Sequence, residues 1–125
     1  MSLRCTVHTK EPLLLLVHSE SELTLTDVEE FTTFFNKHLH GKKQFNVLFD
    51  LRKLKSAPKE VMIKMGSYIS NFEILAVGKV LASSVIINSK TIETLLNILF
   101  KINPPTTPTK VTSDLKVGCS FLDEY

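Results

Sequence analysis

The residues able to do chemistry gather in one stretch. Asp50 ends the apolar run Phe45–Phe49, and Arg52, Lys53, Lys55, Ser56 and Lys59 follow within ten positions. A carboxylate at the end of a buried strand can accept the amides of the turn that follows, a structural role, or face a partner. Ser56 can cap a helix. It can also accept a phosphate, which a helix N-terminus and the cations Arg52, Lys53 and Lys55 would favour. From Lys37 to Lys64 the chain carries eight Lys or Arg against only Asp50 and Glu60, which makes this a local basic region in a chain of net charge +2. Such charge reads either as a solvated loop or as a surface for an acidic partner, a phosphate ligand or a nucleic-acid backbone. Aromatic side chains do not alternate with the cations, so the stacking platforms of a nucleic-acid binder are missing and that partner ranks last.

Elsewhere the chemistry is thin. Gly41, Gly66, Gly78 and Gly118 are isolated, so neither a phosphate-binding loop nor a dinucleotide fingerprint is present. Of His8, His18, His38 and His40 only the last two are close, and residues two apart on a helix do not face each other. Cys119 has no general base at a recognisable spacing. No catalytic group, metal site or cofactor is assigned, and the chain is not expected to be an enzyme. Cys5 and Cys119 lie at opposite ends without metal spacing, which favours a reducing, cytoplasmic setting. No run is apolar and long enough to enter a membrane.

With 125 residues, 43% of them hydrophobic, the chain fits one domain spanning 1–125 around one core. Leu3–His8 alternates like a strand with one buried face, and Leu13–Val17 is a second strand, the two forming an antiparallel hairpin. Ser19–Leu25 reads as a polar connection. Thr26-Asp27-Val28-Glu29 fits a capping box. Val28, Phe31, Phe35 and Leu39 then mark a helix that Gly41 can end in a left-handed conformation. Phe45–Phe49 has the pattern of a central strand covered on both faces, and residues 52–59 read as a basic loop. A second helix over 61–72 follows, with Pro58 in its first turn and Ser56 or Ala57 at its cap. Its stripe of Val61, Met62, Met65, Ile69 and Phe72 is widened by Ile63 and Tyr68 beyond what one sheet contact needs. Methionine adapts to varied partners, so Met62, Ile63 and Met65 join the candidate docking residues.

Val80–Ile87 suits another buried strand. Asn88 or Ser89 can cap a third helix, which must end before Asn103-Pro104-Pro105. Lys110–Thr112 reads as a last strand, and Leu115–Leu122, capped by Ser113 and weakened by Gly118, as a last helix. The order ββαβαβαβα defines a mixed, mostly parallel α/β sheet with right-handed crossovers and packed helices.

In Asp50-Leu51, the spaced Leu54 and Ser56 before the second helix, the chain resembles the STAS family, the sulfate-transporter and anti-sigma-factor-antagonist domain, in its diverged anti-sigma-antagonist-like members. In that family's pattern Asp-Leu is followed by an acidic residue, two hydroxyl residues and a glycine, places held here by Lys55, Ser56, Ala57 and Pro58. The second hydroxyl is the family's phosphorylation site, and Ala57 falls there; Ser56 takes the role only if the loop is shifted. The resemblance implies a STAS-like fold and a non-catalytic interaction module, often dimeric or paired with a regulator. The sequence thus leads to a protein partner or self-association through Asp50, loop 52–59 and helix 61–72. The alternative is a small-molecule or lipid sensor with an apolar cavity beneath the helices.

Overall fold

The computed structural model describes residues 3–75 and 78–125, with residues 72–75 described by their backbone alone. Five strands and four helices follow one another as β1 (Leu3–His8), β2 (Leu13–Glu22), α1 (Leu25–Leu39), β3 (Phe45–Ser56), α2 (Lys59–Leu75), β4 (Val80–Ile87), α3 (Lys90–Ile102), β5 (Thr109–Thr112) and α4 (Leu115–Leu122). The sheet order is β1-β2-β3-β4-β5, antiparallel between β1 and β2 and parallel thereafter. This is the mixed, mostly parallel α/β domain that the element order implies.

Strands that neighbour each other in chain order, joined by crossovers of one hand, must carry their connecting helices on one face. Residues of α1, α2 and α3 accordingly share one core cluster with the sheet, centred on Leu15, Phe31, Phe45, Val47 and Ile92. α4 follows β5 and covers the opposite face, where Leu122 packs on Leu48, Ala82 and Ile86. That second layer is why Phe45–Leu48 is buried without alternation. Asn46, on the α4 side, donates from Nδ2 to the Leu122 carbonyl at 3.3 Å.

Gly118 has a role the sequence reading misses. A Cβ on it would meet Cδ1 of Ile86 at 2.4 Å and Cβ of Ser84 at 3.4 Å, so its missing side chain is what lets α4 lie against β4. Ser84, fully buried, donates to the Gly118 carbonyl at 2.8 Å and fixes the same contact.

Several boundaries differ from the sequence expectation. The capping box of α1 is Thr24 with Asp27, not Thr26 with Glu29: Asp27 N donates to Thr24 Oγ1 at 3.2 Å and Thr24 N to Asp27 Oδ2 at 2.9 Å. The earlier box is selected because Leu23 and Val28, the flanking apolar pair at N′ and N4, both enter the core. The left-handed glycine is Gly78 (φ +83°) rather than Gly41, α1 ending instead at His40. Asp114, not Ser113, caps α4, accepting Lys116 N at 2.9 Å. Ser19–Glu22 is strand, and Ser19 is fully buried.

Candidate functional site

The largest departure lies at the stretch that carries the chemistry. Residues 52–56 are not loop but the continuation of β3, paired with β2 as far as Glu22↔Ser56. The register explains why alternation fails to reveal it. His18 pairs with Asp50 but Glu20 with Lys53, so β3 carries one extra residue here. A bulge of that kind resets which face each side chain takes. Leu51 and Leu54, three apart, therefore both pack against the same core. Lys53 and Lys55 remain exposed.

β4 does not accompany this extension. Its pairing with β3 ends at Leu51↔Ile87. The Ser56 carbonyl accepts Leu23 N at 3.1 Å on the β2 side. Past Leu51, β3 has no strand partner on the β4 side.

Asp50 sits where the three parallel strands are still in register, opposite His18 and Ile86. Its carboxylate accepts Arg52 Nε at 2.9 Å, Arg52 Nη2 at 2.8 Å and the Arg52 amide at 3.2 Å. His18 Nδ1 lies 3.6 Å from Asp50 Oδ2, and His18 Nε2 3.6 Å from Glu20 Oε2. The Arg52 side-chain hydrogen bonds hold the Asp50 carboxyl down at about 2, helped by the Arg52 amide and by the charges of Arg52 and His18, against a burial cost that acts in the opposite direction. Arg52 is thus held by its own strand.

The other predicted residues separate into two groups. Lys53, Lys55, Ser56 and Lys59 form an exposed ridge running from the end of β3 into the first turn of α2. Among the described residues none of these three lysines takes part in an ion pair. α2 begins at Lys59, and the Pro58 carbonyl accepts both Val61 N (3.0 Å) and Met62 N (3.1 Å), which puts Ser56 ahead of the helix rather than at its cap. Ala57, in the place of the family hydroxyl, is buried in the core. Met62 is not on an outer face: it is 5% exposed and belongs to the core, while Ile63 and Met65 are half-buried. Of the two residues that widen the α2 stripe, Tyr68 packs against the core cluster. Tyr68 reaches α1, donating to the Thr32 carbonyl at 2.9 Å and meeting Phe31 edge-on at 6.2 Å. The side chain of Phe72 lies outside the described residues.

Between the sheet and helices α2 and α3 is an apolar cavity of about 100 Å³. Val17, Phe49, Val85, Met62, Met65 and Leu99 supply much of its wall, and the buried Ser19 and Ser83 bring hydroxyls into it. The sequence raises a cavity beneath the helices only as an alternative and names no residue of it, because its wall is assembled from five strands and two helices. Among the described residues no three His, Cys, Asp or Glu side chains form a group that could hold a metal ion. No helix among them is long and apolar enough to cross a membrane.

A five-stranded mixed sheet with three helices on one face and one on the other is the architecture of a SpoIIAA-like domain. A crystal structure of an uncharacterized DUF3478-family protein with a SpoIIAA-like fold, from Shewanella loihica PV-4, is similar over 97% of this chain and 94% of that one, with a TM-score of 0.66 and 14% identity. At that identity the likeness shows the fold. By sequence the chain belongs to the family described as Domain of unknown function (DUF7793), whose model matches residues 9–125. No curated protein matches the sequence. The resemblance to STAS proteins therefore carries over as a fold, and the family is DUF7793.

Proposed function

We propose that this chain is a non-catalytic regulatory domain that docks an acidic protein partner through the basic ridge Lys53–Lys59. The observation that carries this reading is the continuation of β3 past the end of β4, which projects Lys53 and Lys55 into solvent on a strand without a neighbour on that side. An unpaired strand side is a template for another chain, and lysines on it reject all but complementary partners. The SpoIIAA-like fold agrees with an interaction role. The free thiols Cys5 and Cys119 suit a cytoplasmic setting. Ser56 lies on the same ridge, and phosphate there would cut the positive charge the partner reads.

The test is a charge-reversed variant carrying Lys53→Glu, Lys55→Glu and Lys59→Glu. All three side chains are exposed, so folding should be preserved, as far-UV circular dichroism can verify. Proteins that co-purify with the parent chain from its host should be lost with the variant, and their binding should weaken as salt rises. Unchanged co-purification would sink the reading. A parent chain that captures only further copies of itself, with a dimer in light scattering that the variant also forms, would replace docking by self-association elsewhere. Phosphopeptide mapping from the host that finds Ser56 unmodified would remove the phosphate control alone.

A further inference from the structure

The cavity beneath α2 and α3 is a second site, independent of the basic ridge. Its lining along α2 runs from Met62 through Met65, Gly66 and Ile69 to Ser70, a rise of about 12 Å at 1.5 Å per residue. It reaches the surface beside Pro104 and Pro105, both exposed. The space is therefore long and narrow. An enclosed apolar cavity of roughly 150 Å³ takes up a six-carbon ring, so about 100 Å³ with an open end suits a short straight chain of similar carbon number.

Polarity restricts the occupant further. Among the described lining residues none is charged. A carboxylate or ammonium buried there would lack a counter-charge and would remain in water instead. Yet the wall is not wholly apolar. Ser19 lines the cavity, is 0% exposed, and its Oγ has no hydrogen-bond partner. A buried hydroxyl left without a partner is costly, and a ligand group that bonds to it recovers that cost. Two other polar wall groups are engaged elsewhere, Asn103 Nδ2 donating to Ser67 Oγ at 3.3 Å and Thr109 Oγ1 to the Thr107 carbonyl at 3.0 Å, while Ser70 and Ser83 add further hydroxyls to the wall.

We propose that this cavity binds an uncharged, short-chain aliphatic molecule with a single hydroxyl or carbonyl, whose polar end bonds Ser19 and whose chain lies along Met62, Met65 and Ile69. Met62 and Met65 suit this role, since flexible thioether side chains adjust to irregular apolar ligands.

The experiment is an amide and methyl NMR titration of the full chain with 1-hexanol, against sodium hexanoate at neutral pH as the charged analogue of the same length. Saturable shifts at Ser19, Ser83 and the methyls of Met62 and Met65 are expected with 1-hexanol, and binding of hexanoate at least about tenfold weaker. Ser19→Ala should weaken 1-hexanol about fivefold, the loss of one hydrogen bond. Met65→Phe, which fills the cavity from a half-buried position, should abolish binding. Should that variant fail to fold, the comparison of alcohol with carboxylate still decides. Absence of saturable shifts with 1-hexanol, or equal affinity for hexanoate, overturns the proposal. The charge-reversed ridge variant should bind 1-hexanol as the parent does, which separates this site from the docking reading.

Discussion

Arg52 folds back onto Asp50 two residues earlier on the same strand, its Nε 2.9 Å from Oδ1 and its Nη2 2.8 Å from Oδ2. A forked pair of this geometry fixes a guanidinium that would otherwise extend into solvent. It also changes what the basic stretch offers. Arg52 spends its charge within the domain, and the positive surface consists of Lys53, Lys55 and Lys59.

The Asp50 carboxyl, held at about 2 against an ordinary 3.8, is more acidic folded than unfolded. A depressed carboxylate stabilises the fold above its unfolded value, and that contribution disappears as pH falls from about 4 to 2. Arg52 is 42% exposed, so solvent screening limits the effect to the order of 1 kcal/mol. Urea unfolding at pH 5 and pH 3 should show Asp50→Asn losing less stability on acidification than the parent chain. Equal losses would mean that the pair is energetically silent.

Gly66 is the point where α2 approaches α3. A Cβ there would lie 2.2 Å from Cδ1, 2.9 Å from Cγ and 3.0 Å from Cδ2 of Leu99, so the whole end of that side chain must move. Gly66→Ala should destabilise by about 1–3 kcal/mol in spite of the better helix propensity of alanine. Combining it with Leu99→Ala should cost at least about 1 kcal/mol less than the sum of the single changes. Additivity in denaturant melts would refute the contact.

Thr24 and Asp27 satisfy each other's backbone amides at the start of α1. Thr24→Ala should cost about 1 kcal/mol, whereas Thr26→Ala, outside the box, should cost less than half as much. Chemical denaturation of the two variants in parallel distinguishes them, and a reversed order would return the cap to Thr26.

Tyr68 ties α2 to α1 through the Thr32 carbonyl, and burial pushes its phenol up to about 12. A phenol whose folded value is raised above the unfolded 10 gives stability that is complete below pH 10 and fades as pH climbs toward 12. Tyr68→Phe should lower stability at pH 7 by about 1 kcal/mol and flatten the alkaline decline. The absorbance of ionised tyrosine, followed with unfolding between pH 9 and 12, measures both.

Local patterns carried most of the fold. Leu3–His8 alternates, Val80–Ile87 is a dense β-branched run, and Ser89 precedes a periodic helix; each of these was legible because its period and its cap lie within a few residues of one another. The site was legible only in outline. Asp50 and the cations stand out by type, but Leu51 and Leu54, three apart, are out of step for a strand. A bulge is a property of two paired strands, so its register cannot be read from one of them. Met62 likewise belongs to an apolar stripe that looks too wide for one contact when the helix is taken alone, which made it a docking candidate, and it is core once α3 and the sheet close over it.

The chain by itself determined the element order, the mostly parallel sheet and the place of the charged stretch, because hydrophobic periodicity and turn residues act over short separations. Tertiary structure alone decided that the charged stretch is strand, that β4 stops short beside it, that Arg52 turns back to Asp50, and that Ser19 is left facing a cavity. Each of those depends on residues distant in the chain meeting in space, and on which backbone and side-chain groups find a partner when they do.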